Sequence, residues 1–163
     1  MMNQTDINKY IIVELEQEEY AIPVDLVAAI ERSQPITRVP QTISCVKGVI
    51  NLRGVITPIV DLRERFGMQS PLEATESTRI IIIHMEDYAA GLIVDAAYDV
   101  MDIPTEQMEP TPQVIGTVDV DYMKGVAKID KRLIMILEME KVMDMGLLVS
   151  VSGNEELAYG RYQ

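Results

Sequence analysis

An all-β fold made of two similar lobes is the architecture this 163-residue sequence predicts. Three observations predict it. Apolar, β-branched runs of strand length alternate with short acidic or glycine-containing breaks. The order of runs and breaks starts again at Arg79. The composition is 48% hydrophobic, which supports a packed core, yet only 5% aromatic with no Trp and one Phe, so that core is aliphatic and methionine-filled. The eleven methionines read most simply as core filler, with an adaptable binding surface as the other reading.

The elements follow in order. Residues 9–16 alternate as a strand, with Ile11, Val13 and Leu15 on one face and Glu14 and Glu16 on the other. Gln17-Glu18-Glu19 makes a polar tip, and Tyr20 to Val24 returns as the second arm of a hairpin. Asp25 to Ile30 fits a helical turn or a strand equally. Ser33-Gln34-Pro35 links to Ile36-Thr37-Arg38-Val39-Pro40, and then two apolar runs flank the polar break Asn51-Leu52-Arg53-Gly54. That pattern reads as strand, tight turn, strand, with Asn and Gly suited to positive φ. Pro58 belongs on an edge strand or at a bulge, because it cannot donate to a ladder. Arg63 to Gly67 reads as a short helical end stopped by glycine. Pro71 to Ser77 is a polar connector.

The second half repeats the first. Arg79 to His84 is a strand apolar enough for burial on both faces, and Glu86-Asp87 is its acidic tip. Tyr88-Ala89-Ala90-Gly91-Leu92-Ile93-Val94-Asp95 mirrors Glu18-Glu19-Tyr20-Ala21-Ile22-Pro23-Val24-Asp25. Lys124-Gly125-Val126 echoes Lys47-Gly48-Val49, and a carboxylate closes an apolar run fourteen residues after each lysine, at Asp61 and Glu138 (61 − 47 and 138 − 124). Such an ordered repeat implies two lobes of about seventy residues, each a small antiparallel barrel that closes its own edges. The segment after Glu138 ends in a helix and then in a tail without pattern.

Chemistry is sparse. The net charge of −12, from 26 acidic and 14 basic residues, repels phosphate backbones and anionic lipid surfaces. No apolar run is long enough to span a bilayer, the N-terminus lacks a signal-peptide pattern, and one cysteine allows no internal disulfide, so a cytoplasmic location is expected. His84 and Cys45 are each alone; His84 reads as a packed or hydrogen-bonded residue and Cys45 as a small core residue, and the two cannot build a zinc site without scattered carboxylates. The glycines form no phosphate cradle, and no Ser or Thr has a base beside it. No enzymatic activity, metal or cofactor is expected. Sheet edges and the interface between lobes are the natural places for an apolar partner. Arg53 is either a solvated turn cation or a cation held out for a partner.

The stretch Lys47 to Leu62 resembles the hallmark K-G-V-x-N-L-R-G-x-x-x-P-x-x-D-L of the CheW family of bacterial chemotaxis coupling proteins. The likeness continues through Glu18-Glu19-Tyr20, Ile36-Thr37-Arg38-Val39, Gly91 to Asp95, Asp99-Val100, Tyr122 to Gly125 and Arg132 to Leu137. It implies one domain over residues 8–145, built of two pseudo-symmetric five-stranded, Src-homology-3-like barrels with short helices. Their approximate spans are 15–70 and 71–145, with the terminal segments open to exchange, and 146–163 form the tail. The resemblance further implies a cofactor-free scaffold that binds the regulatory domain of the histidine kinase CheA and the cytoplasmic helical tip of chemoreceptors. By motif position, Val27, Ile30, Thr37, Gly91 and Val100 become receptor-facing candidates. Ile30, Lys47, Asn51 and Arg53 become kinase-facing candidates. Two residues depart from the family pattern: Ala29 stands where an acidic residue is common, with Glu31 two positions on, and Arg79 replaces an apolar residue. The alternatives are a CheW-like module from a kinase- or receiver-linked adaptor and, in another class, a small-ligand-binding β-barrel.

Overall fold

The computed structural model describes residues 7–40, 43–68, 73–112 and 118–145. The tail expected after residue 145 lies outside the described residues. Among these described residues, eleven strands fall into two sheets. The first sheet has the order β8-β1-β2-β11-β10-β9, built from β1 (Ile7–Leu15), β2 (Glu18–Pro23), β8 (Ala96–Pro104), β9 (Met108–Glu109), β10 (Met123–Ile129) and β11 (Arg132–Leu137). The second has the order β3-β6-β7-β5-β4, from β3 (Val27–Arg32), β4 (Val46–Leu52), β5 (Val55–Asp61), β6 (Arg79–His84) and β7 (Ala89–Val94). Two single-turn helices, α1 (Leu62–Arg65) and α2 (Met139–Val142), follow β5 and β11.

The two sheets are wired alike. In each, a hairpin joins the rest through one parallel pairing: Ile134, Met135 and Ile136 lie beside Glu19, Tyr20 and Ala21, and Ile59, Val60 and Asp61 lie beside Gly91, Leu92 and Ile93. The β4–β5 and β10–β11 ladders share a register shift before the glycine, at Gly48 and at Gly125. The two-residue β9 pairs with β10 where Thr37 bridges Val49 of β4. Each sheet forms one lobe, the first sheet the first lobe and the second sheet the second, so the lobes do not divide the chain near residue 70. The β1–β2 hairpin of the first repeat sits with β8–β11 of the second, and the β6–β7 hairpin of the second sits with β3–β5 of the first.

Burial explains why the strands are nearly continuous in apolar residues. Along β1, Tyr10 and Ile12 face the first lobe's own core, while Ile11, Val13 and Leu15 face a large core shared between the lobes. On β6, Ile80 and Ile82 face the second lobe's core and Ile81 and Ile83 the shared one. Each of these strands therefore has two buried faces, which removes the usual polar-out alternation. None of the described methionines is exposed, and Met123, Met135, Met139 and Met143 fill the shared core. This supports the core-filler reading.

Several expectations need correction. Pro58 is not on an edge, because β5 lies between β7 and β4. Val49 spends its N–H and C=O on Thr37, so its pairing with Pro58 is of the non-hydrogen-bonded kind. The missing N–H of Pro58 faces the side where β7 pairs only from Ile59 onward, so no ladder bond is lost. His84 is exposed at the end of β6 rather than packed. The ambiguous segment after Pro23 resolves into both readings: a 3-10 turn at Val24–Leu26, then β3.

Candidate functional site

The candidate site is the exposed end and edge of the second lobe together with the matching edge of the first. At the β4–β5 turn, Leu52 pairs with Val55, leaving Arg53 and Gly54 as a two-residue connection. Both have positive φ, 53° and 89°, which is the backbone a right-twisted hairpin needs. Asn51 itself stays in β4, and its Oδ1 accepts a 2.7 Å hydrogen bond from the Gly54 N–H, closing the turn. Arg53 thus takes the left-handed position that was expected of Asn or Gly. The equivalent turn of the first lobe keeps the geometry with different residues: Ile129 pairs with Arg132, and Asp130 has φ 58°. The lobe fold requires the bend but not an arginine.

The turn holds its side chain outward. The Arg53 side chain is 75% exposed, with one guanidinium nitrogen 3.7 Å from the Glu31 carboxylate of β3. An anion therefore does stand beside it, supplied from position 31 rather than 29. At that distance and exposure the pair steers the side chain more than it stabilises the fold. Val55 (60% exposed) and Ile56 (43%) open β5 next to this turn, so an arginine and an apolar pair share one exposed tip.

Ile30 and Val100 occupy equivalent places. Ile30 pairs with Ile81 on β3, the edge of the second sheet, and Val100 pairs with Ile11 on β8, the edge of the first. Both are exposed. Three residues earlier, Val27 and Ala97 are partly buried against the shared core. The two edge strands therefore start at the seam between lobes and carry an apolar side chain outward on each side. Thr37 is exposed and anchored by its bridge to Val49. Lys47 is half-buried and forms an ion pair with Glu64 of α1.

Gly91 differs from the other candidates. It is buried, and a Cβ there would lie 2.7 Å from both Ile59 Cδ1 and Ile80 Cγ2, inside the second lobe's core. It presents nothing to a partner directly; any contribution runs through the packing of β5, β6 and β7. Arg79 folds back onto the carbonyls of Glu76 and Thr78, at 2.8 Å each, which accommodates a cation where an apolar residue was expected. Sequence reading missed Val55 and Ile56, whose position beside the turn was the available signal. It also missed Glu31 as the partner of Arg53.

Nothing among the described residues looks catalytic. No group of three His, Cys, Asp or Glu side chains is placed to hold a metal, and no helix is long and apolar enough to cross a membrane. Cys45 is buried, its thiol pushed up by desolvation, with its Sγ 3.7 Å from Met145 Sδ. One polar depression includes Glu14, Arg63, Asp95 and Tyr98, but these groups already bond one another: Arg63 clasps Asp95, and the Tyr98 hydroxyl donates to Glu14.

The comparisons agree with this picture. The CheW-like domain family matches residues 9–146. The chemotaxis protein CheW of Bacillus subtilis is 39% identical over 136 residues, covering 83% of this chain and 86% of that protein. The CheW of Klebsiella aerogenes is 33% identical over 147 residues, 88% of each chain. The crystal structure of the scaffolding protein TtCheW from Thermoanaerobacter tengcongensis superposes with a TM-score of 0.77 at 34% identity, covering 84% of this chain and 92% of that one.

Proposed function

This chain belongs to the CheW family, and from that premise we propose how its surfaces divide the work of a chemotaxis adaptor. As an adaptor of that family it couples chemoreceptors to the histidine kinase CheA by bridging rather than by catalysis. The partner segments are the regulatory domain of the kinase and the cytoplasmic helical tip of the receptors, met in the cytoplasm. The kinase domain takes the second lobe's exposed end: Arg53, Asn51, Ile30 and Lys47, to which Val55 and Ile56 add apolar area. The receptor tip, an amphipathic helical hairpin, lies along the seam where β3 and β8 diverge, against Val27, Ile30 and Val100, with Thr37 at its margin. That is helix-in-groove recognition. Gly91 belongs to this surface only as the residue that lets the strands beneath it pack.

One observation carries the kinase assignment. Both lobes need the left-handed turn, yet only the second places an outward arginine there beside exposed Val55 and Ile56. Arginine with apolar neighbours is the composition of an interface centre.

The test is titration of the labelled protein with a receptor-tip hairpin and with the kinase regulatory domain, separately and together. Binding of both is expected; binding of neither removes the adaptor reading. Arg53→Glu is expected to weaken kinase binding by about tenfold or more, in the range of a lost interface arginine. Its melting temperature should stay nearly unchanged, since an exposed pair contributes only about 0–1 kcal/mol. Unfolding of the variant would make Arg53 structural instead.

A further inference from the structure

The shared core glues the lobes together, but apolar burial is non-directional and does not by itself fix the angle between them. Directional bonds across the seam converge on α1. Its two arginines stand two residues apart, so on a helical turn they project to opposite sides. Arg63 reaches the first lobe at one side. Its Nε and Nη2 clasp Asp95, at 2.8 and 2.5 Å, and another guanidinium nitrogen lies 3.6 Å from Glu16. Asp95 sits where the chain crosses from β7 into β8, and its Oδ2 also accepts from the Glu16 N–H at 2.8 Å. Arg65 reaches the first lobe at the other side. It donates to the carbonyl oxygens of Val142, Lys141 and Asp144, at 2.8, 3.1 and 3.2 Å, and its guanidinium lies 4.9 Å over the Tyr122 ring. These carbonyls lie at and just past the end of α2; that of Lys141 also accepts from the Asp144 N–H at 3.2 Å.

The repeat shows that this clamp is not a general requirement of the fold. By the spacing that aligns Asp61 with Glu138, the α2 counterparts of Arg63 and Arg65 are Glu140 and Val142. The same end of α2 also receives a neutral bond, from the Tyr88 hydroxyl to Met143 O at 3.2 Å.

We infer that α1 is an inter-lobe lock. Arg63 and Arg65 are positioning residues that hold the angle between β3 and β8, and so the width of the seam the receptor tip occupies. This rests on the receptor assignment above. A kinase surface confined to the second lobe does not depend on that angle, whereas a ligand spanning both lobes does. Its apparent affinity falls by the fraction of molecules that hold the right angle, so about tenfold if a tenth of them do.

The experiment has two arms. In the first, spin labels on His84→Cys and Lys128→Cys, in a Cys45→Ala background, report the inter-lobe distance. Arg63→Gln and Arg65→Gln should each broaden it, with Arg65→Lys partly restoring the narrow distribution. In the second, the Gln variants should bind the receptor-tip hairpin about tenfold more weakly, while the kinase regulatory domain binds within twofold of the parent. An unchanged distance distribution, or equal losses for both partners, overturns the lock. A parent protein that binds neither partner removes the functional reading, while the distance arm still decides the lock on its own. If a Gln variant fails to fold, the milder Arg65→Lys carries the test. A broadened distribution with selective receptor loss supports the lock, and parent-like behaviour in both arms overturns it.

Discussion

Two glycines that look alike in sequence do different work. Gly48 has φ 146°, and a Cβ there would lie 2.1 Å from the Thr37 carbonyl oxygen, which is backbone and is held by the bridge to Val49. Neither strain nor clash can relax without breaking that bridge. Gly91 would place its Cβ against the Cδ1 end of Ile59 and the Cγ2 branch of Ile80, which are side-chain atoms rather than backbone. Gly91→Ala is therefore expected to cost about 1–3 kcal/mol, the usual range for overpacking. Gly48→Ala should cost more and should specifically expose the Thr37 and Val49 amides to hydrogen exchange. Chemical denaturation of the two variants, with exchange read at those amides, checks the order; a smaller loss at Gly48 would contradict it. Residue identity was the readable part of this site. The motif put Asn51, Arg53 and Gly54 at a turn, but which of them takes positive φ depends on ladder register, and the Asn51 carboxamide is spent on closing the turn instead.

The two short helices extend the comparison to whole elements. Asp61 caps α1, its Oδ1 accepting from the N–H groups of Arg63 at 3.0 Å and Glu64 at 3.4 Å, whereas Glu138 makes no such bond at the start of α2. Burial raises the Asp61 pKa, with the backbone bonds and Lys47 pulling the other way. The sign follows from that direction. A carboxyl raised in the folded state binds its proton more tightly there than in the unfolded chain. It therefore favours folding at low pH, and that contribution fades as pH rises through the folded value. Asp61→Asn keeps the acceptor oxygen and removes the buried charge. It should melt at or above the parent temperature at pH 7, with the difference shrinking as pH falls toward the ordinary carboxylate range. Asp61→Ala removes the same charge and the acceptor as well, so it should lie about 1 kcal/mol below Asp61→Asn at either pH. Melting curves at pH 7 and 4.5 separate the two, and a difference that grows on acidification would reverse the sign. Elements of this kind were legible from local pattern: the hairpins, the stop after α1 and the repeat itself. Strand β8 was not, because Ala96–Pro104 mixes Asp99 and Asp102 with exposed Tyr98 and Val100 and lacks a strand's apolar run. An edge strand has only one partner and little burial to write into its sequence.

At the scale of the molecule, the repeat told how many lobes there are but not which strands each contains. Sequence similarity groups β1–β5 and β6–β11, while hydrogen bonding groups the β1–β2 hairpin with β8–β11 and the β6–β7 hairpin with β3–β5. Nothing local distinguishes the two arrangements, since equivalent hairpins carry the same pattern and would dock on either body. What distinguishes them is the short path at each crossing: β2 leads into β3 through Val24–Leu26, and β7 into β8 through Asp95 alone. The exchange has a consequence for dissection. A cut near residue 70 severs none of the described strands, yet leaves each fragment holding one sheet's hairpin and the other sheet's remaining strands. Neither fragment can form the parallel pairings Ile136–Ala21 or Ile59–Gly91. Fragments 1–70 and 71–163 should therefore each lack a cooperative melt, with their shared-core faces exposed to water. Mixed in equal amounts, they should reassemble through both parallel ladders at once, recovering a single melting transition and, with it, the seam between β3 and β8. Fragments that fold separately would instead place each hairpin on its own repeat, and the lobes would be successive rather than interleaved.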